Sequence, residues 1–209
     1  HAWFKDAKLL TAQRTTAAEK LAPKIEKAMQ SLGMAHARVH ILIAPAKAVP
    51  QRDGADDIDF LVTTNPDHPM KRLEQAASGG ELSRISLIMR QMMTADDAAV
   101  TLAFDEAEAG VSGGIATKVG CLLRTLSKSG QVLCITHLPQ VAALGDRHFG
   151  VDKHVCDGKT ITRFHALDRA GRIEELARMI GHETITETAR RQACELLDGE
   201  GVLPQTESI

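Results

Sequence analysis

Three short stretches of the chain hold side chains able to do chemistry: TLAFDE, QVLCITH and ASGGELSR. TLAFDE is an apolar run that ends in Asp105 and Glu106. An aspartate at the carboxyl end of a strand can hold Mg2+, commonly through water, because that hard cation prefers oxygen ligands and keeps part of its hydration shell. The adjacent glutamate can orient and deprotonate an attacking water. Small and apolar residues followed by two acids make the Walker B pattern, which taken alone also fits a strand that simply ends at solvent. QVLCITH ends in His137, whose imidazole can hydrogen-bond a terminal phosphate, although a lone histidine after a strand is usually structural. In ASGGELSR, Ser78 and Glu81 have the spacing of a capping box, in which each side chain satisfies a backbone N–H at a helix start. Gly79 and Gly80 weaken that first turn unless something must come close to the backbone. Phosphate is the usual candidate, since free N–H groups and the positive end of a helix dipole attract anions.

The order of elements around these stretches decides whether they can meet. Leu10, Ala17, Leu21, Ile25, Ala28 and Leu32 recur at three- and four-residue steps, which predicts an amphipathic helix over Phe4 to Leu32 with Gly33 as its stop. Pro23 should kink or restart it. That helix fits the end of a coiled coil and a surface helix on a sheet equally well. Alternation in Ala37–Ile43 and again in Ile58–Val62 predicts two half-buried antiparallel strands. A helix carrying Leu82, Ile85, Ile88, Met89 and Met92 follows the capping box. AAVTLAF and QVLCIT read as strands buried on both faces, joined by a helix with Val119, Leu123 and Leu126, so the unit is strand, helix, parallel strand. In open parallel sheets, ligands sit beyond the carboxyl ends of the strands, where Asp105, Glu106 and His137 fall. Asp157-Gly158 signals a hairpin turn between strands near Phe149–Val155 and Ile161–Ala166. Helices over Arg172–Ile180 and Glu183–Leu197 precede a polar tail, residues 201–209, expected to be disordered.

The bulk numbers exclude little. At 209 residues, 44% of them hydrophobic, the chain can bury a generous core. A net charge of -2 gives no global reason to expect nucleic acid, so any DNA contact must be a local patch or lie elsewhere. Cys121, Cys134, Cys156 and Cys194 form no C-x-x-C pair and read as reduced core thiols of a cytosolic protein. No apolar run is long enough to span a membrane. The opening HAWFK lacks an initiator methionine and starts in mid-helix, which suggests a fragment or a processed chain. His148, His154 and Cys156 lie close in sequence without a convincing fourth ligand, so a zinc site is not expected.

The order SGGE-helix, strand-DE, Gly-containing turn, helix, strand-TH resembles the C-terminal half of an ABC-type ATPase head, with SGGE as signature motif, DE as Walker B pair and His137 as switch residue. ASGGELSRISL, FDEAEAGVSGG and CITHLPQVAALGDRHF resemble the RecN family of bacterial, SMC-like DNA repair proteins over nearly the whole chain. The resemblance implies an α/β fold, a parallel sheet core flanked by helices, with residues 1–33 as a coiled-coil end, 34–200 as the half-head and 201–209 as a tail. It implies ATP and Mg2+ as cofactors, Asp105 at Mg2+, Glu106 as general base and His137 as γ-phosphate sensor. It also implies that Ser78, Gly79, Gly80 and Glu81, with Ser112 of the D-loop, serve nucleotide. Ser78 can accept from a backbone N–H while donating its own proton. Partners implied are the Walker A half of the same head, a second head in a homodimer, and DNA through the complete protein. The implied location is the bacterial cytoplasm, at the nucleoid. One departure is Glu108, where the family generally has aspartate; as a bare turn residue it reads as an exposed acid. Arg84 is open between a dimer or nucleotide contact and a solvated helix face.

The phosphate-wrapping Walker A loop is missing. Gly158-Lys159-Thr160 supplies its GKT ending, but Lys153 stands where the first glycine belongs and the segment lies in a hairpin. The chain is therefore expected to be the distal end only and inactive alone. Alternatives are a half-head of another ABC or SMC-type ATPase, and a non-enzymatic interaction module.

Overall fold

The computed structural model of the chain describes residues 2–45, 51–76, 78–93, 100–111, 113–156, 159–181 and 184–199. They fall into two compact units, His1–Met93 and Thr94–Ile209.

In the first unit, helix α1 (Ala2–Ser31) leads to strands β1 (Arg38–Pro45), β2 (Asp56–Thr63) and β3 (Lys71–Arg72), then the short α2 (Leu73–Ala76) and α3 (Gly79–Met93). The strands form an antiparallel sheet in the order β1-β2-β3, with Val39 opposite Val62 and Ile41 opposite Phe60. Pro23 does not restart α1; the helix runs on to Ser31, and Pro23 sits on its exposed side. Gly33, at φ 90, takes the left-handed turn that ends it. The last third of the helix carries most of its buried residues, Ile25, Ala28 and Met29, with Ala7 buried in the first half and Ala17 exposed. The first half is also held by polar ties: Thr11 and Arg14 bond the Asp56 carboxylate at 2.7 and 3.0 Å, and Arg14 also donates to the Asp53 carbonyl at 2.8 Å. Gly54 must be glycine in that arrangement, since it has φ +90 and an added Cβ would lie 2.8 Å from Leu10 Cδ2. In α3, Ile85, Leu87 and Ile88 are buried. Arg84 is only 5% exposed, which corrects the solvated-face alternative.

The second unit contains β4 (Thr101–Asp105), α4 (Gly114–Leu126), β5 (Gln131–Ile135), α5 (Pro139–Ala142), β6 (Phe149–Cys156), β7 (Lys159–Ala166), α6 (Arg169–Gly181) and α7 (Glu187–Asp198). β4 and β5 pair in parallel, with Thr101 opposite Gln131 and Asp105 opposite Ile135. The expectation of burial on both faces is corrected. Leu102, Phe104, Val132 and Cys134 are half-buried, whereas Ala103, Leu133 and Ile135 on the opposite face are exposed, Ile135 by 66%. The apolar run reflects what the strands are suited to contact, and the described residues cover one face only. β6 and β7 form an antiparallel hairpin in which Lys159 and Thr160 open β7; the Asp157-Gly158 turn lies outside the described residues. α6 and α7 close a core of Leu176, Ala177, Ala189 and Ala193 with Ala142 and Ala143. Thr186 caps α7 by accepting from the Ala189 N–H at 3.1 Å. The tail, residues 201–209, lies outside the described residues. Among those described, no helix is long and apolar enough to cross a membrane.

Candidate functional site

At the start of α3 the capping box is formed in full. The Glu81 carboxylate accepts from the Ser78 backbone N–H at 2.9 Å and from the Ser78 hydroxyl at 3.1 Å, and the Glu81 N–H points back at Ser78 Oγ at 3.4 Å. Ser78 and Gly79 are exposed, and Gly80 and Glu81 are half-buried. A Cβ added at Gly79 would meet nothing within 4 Å and its φ is not left-handed, so neither packing nor backbone strain accounts for glycine there.

The other cluster is built where β4 and β5 end. Asp105 is the last residue of β4 and lies exposed, on the same face as Leu133 and Ile135. The chain then turns sharply at Glu106, whose φ of 47 is left-handed in a residue that carries a Cβ. That conformation costs of order 1–3 kcal/mol and persists only where the surroundings impose it. Here the Glu106 N–H donates to the Ile135 carbonyl at 3.0 Å, and the Glu106 carbonyl accepts from Ala109 at 2.9 Å. The turn drives Ala107 and Glu108 into the interior, both 0% exposed, and leaves the Glu106 carboxylate 57% exposed. Gly110 and Gly113, at φ 76 and 56, carry the chain onward to α4.

Glu108 is therefore a fully buried acid, correcting the reading of an exposed turn residue. Its Oε1 accepts from the Thr136 hydroxyl and from the His137 backbone N–H, the latter at 3.3 Å. Thr136 Oγ1 in turn accepts from the Leu138 N–H at 3.1 Å, which fixes the entry to α5. The His137 ring, 59% exposed, has Nδ1 3.7 Å from Glu108 Oε1 and 3.9 Å from Glu106 Oε1. These separations are too long for hydrogen bonds. Beneath them, burial and then the neighbouring Glu108 and Asp105 carboxylates push the Cys134 thiol up to about 12.

The second unit thus brings Glu106 and His137 together beside Asp105, at the carboxyl ends of adjacent parallel strands. The Ser78–Glu81 group belongs to the first unit, and Ser112 lies outside the described residues. Sequence reasoning misread Glu108 and did not single out Thr136. The signal available for Glu108 was its position between two alanines, residues small enough to follow an acid into the core.

Among known structures, the Smc head domain with a coiled coil and joint from Pyrococcus yayanosii is similar, with a TM-score of 0.54 and 19% identity over 82% of this chain and 30% of that one. With the parallel pairing of β4 and β5, this defines the fold class: an α/β fold similar to that of an Smc head domain. In sequence the chain is similar to RecN proteins. It is 43% identical to the DNA repair protein RecN of Haemophilus influenzae over 193 residues, 92% of this chain and 34% of that protein. It is 42% identical to RecN of Vibrio cholerae over 188 residues, 90% of this chain and 34% of that one. The chain thus spans about a third of the length of the curated relatives it matches. No protein-family model matches it.

Proposed function

We propose that this chain is the distal half of the ATP-hydrolysing head of a RecN-like protein that acts in recombinational repair of DNA double-strand breaks in the bacterial cytoplasm, at the nucleoid. The observation that carries the reading is the meeting of Asp105, a left-handed Glu106 and His137 at the ends of two hydrogen-bonded parallel strands. Residues 1–33 form the end of a coiled coil, 34–200 the half-head and 201–209 a tail. A Walker A half completes the head by covering the exposed face with Leu133 and Ile135, because parallel sheets are stable when both faces are covered.

The donor set fits this division of labour. No group of three acid, histidine or cysteine side chains among the described residues can hold a metal ion by itself. Asp105 supplies one exposed carboxylate, and Mg2+ takes one or two carboxylates plus substrate phosphate oxygens. When bound, Mg2+ neutralises charge developing on the transferred phosphoryl group. Glu106 orients a water and accepts its proton. His137 donates to the terminal phosphate. Ser78, Gly79 and Gly80 close over nucleotide held by a second head, their approach unobstructed by any side chain at Gly79. Glu81 holds Ser78 in place, and Ser112 completes the D-loop contact between heads. The 209-residue chain alone hydrolyses no ATP.

The test joins this chain to the Walker A half. Turnover should appear, and Glu106→Gln should cut kcat by about 10²–10⁴-fold while nucleotide still binds. Hydrolysis by the chain alone, or a joined head indifferent to Glu106→Gln, contradicts the reading.

A further inference from the structure

A carboxylate at 0% exposure is an expensive residue to keep. Burying a carboxyl group without a full set of hydrogen bonds is unfavourable, and a well-packed apolar side chain of similar size usually serves stability as well or better. Glu108 meets only part of that cost, since Oε1 takes two hydrogen bonds while Oε2 is buried with no hydrogen-bond partner. The fold does not need the acid as a turn former: the 106–111 turn is closed by backbone bonds, Ala109 N–H to the Glu106 carbonyl at 2.9 Å and Val111 N–H to the Glu108 carbonyl at 3.1 Å. What the side chain does is join that turn to the end of the neighbouring strand, 28 and 29 residues further on. The joint falls on Thr136 and His137, and through Thr136 Oγ1 it extends to the first turn of α5. α5 carries Ala142 into the α6–α7 core, so the joint is anchored on rigid packing.

We propose that Glu108 is a positioning residue: by gripping the Thr136 hydroxyl and the His137 N–H from inside the fold, it holds the His137 imidazole beside the Glu106 carboxylate. The turn that strains Glu106 outward is the turn that sends Glu108 inward, so one backbone feature brings both acids within 4 Å of the same ring nitrogen, Nδ1. This inference rests on the ATPase reading above.

The experiment has two readouts. In the 209-residue chain, Glu108→Gln should speed hydrogen exchange of the His137 amide by about tenfold, with amides of α6 and α7 unchanged. In the joined head, Glu108→Gln and Thr136→Val should each lower kcat by about tenfold with KM held within twofold, and Thr136→Ser, which keeps the hydroxyl, should recover most of it. In a His137→Ala background, Glu108→Gln should cause no further loss, because a residue acting through another has nothing left to position. If Glu108→Gln fails to fold, the Thr136 pair carries the same test. Additive losses in the double variant, equal losses in Thr136→Val and Thr136→Ser, or an unchanged His137 amide would overturn the proposal. Those outcomes leave the ATPase reading standing as long as Glu106→Gln abolishes turnover; a Glu106→Gln head that still turns over defeats the ATPase reading instead.

Discussion

The start of α3 and the ends of β4 and β5 solve opposite problems. At Ser78–Glu81 the serine hydroxyl, the glutamate carboxylate and both backbone N–H groups of the capping box pair over three residues, and Gly79 is free of steric demand. At Asp105–Glu108 the chain accepts a left-handed glutamate and a buried acid with one oxygen unpaired, held by contacts to residues nearly thirty positions on. The first is a locally stable surface with open space above Gly79. The second is a strained arrangement imposed by packing, of the kind that protein surroundings maintain when geometry matters more than stability. The contrast separates what each region requires: open space in one, long-range support in the other.

The comparison breaks most visibly at Gly79. Helix propensity makes Gly79→Ala neutral or stabilising by up to about 1 kcal/mol, since the new methyl meets nothing. If the opening exists for a ligand, the same change should weaken ATP-dependent pairing of complete heads by about tenfold or more while the melting temperature holds or rises. A drop in thermal stability with pairing intact would make Gly79 a structural residue and erase the difference between the two regions.

A smaller effect sharpens the other side. The Cys134 thiol ionises near 9 when unfolded and is pushed to about 12 in the fold by burial and by Glu108 and Asp105. The unfolded chain therefore loses this proton first, and this contribution to stability is whole below pH 9 and declines as pH rises from 9 toward 12. Alkylation of Cys134 at pH 8 should be far slower in the folded chain than in urea, and faster in Glu108→Gln than in the parent fold. Equal rates in the parent and Glu108→Gln would remove Glu108 from the surroundings of that thiol.

What could be read in the sequence was whatever short spacing determines. The capping box and the stop at Gly33 follow from residues within a turn of one another, and the pairings of β1 with β2 and of β4 with β5 follow from strand patterns and the order of the elements between them. Helix ends shifted by a few residues, and β3, α2 and α5 went unpredicted because two- to four-residue elements have no periodicity. Glu108 was misread for a different reason. Its burial depends on the backbone reversal at Glu106 and on Thr136 arriving from the next strand, and neither is written in the turn itself. Exposure of Leu133 and Ile135 escaped the same way: an apolar strand announces that it needs cover without saying which chain provides it.

The central claim is that Ser78 and Glu106 complete different active sites, one on a partner head and one at home. Mixing two complete heads tests it, one carrying Ser78→Arg and the other Glu106→Gln, each inactive by itself. Pairing the intact acid of the first with the intact serine of the second should restore ATP turnover on mixing. A mixture as inactive as its components, in which paired heads are nonetheless seen to form, would contradict it.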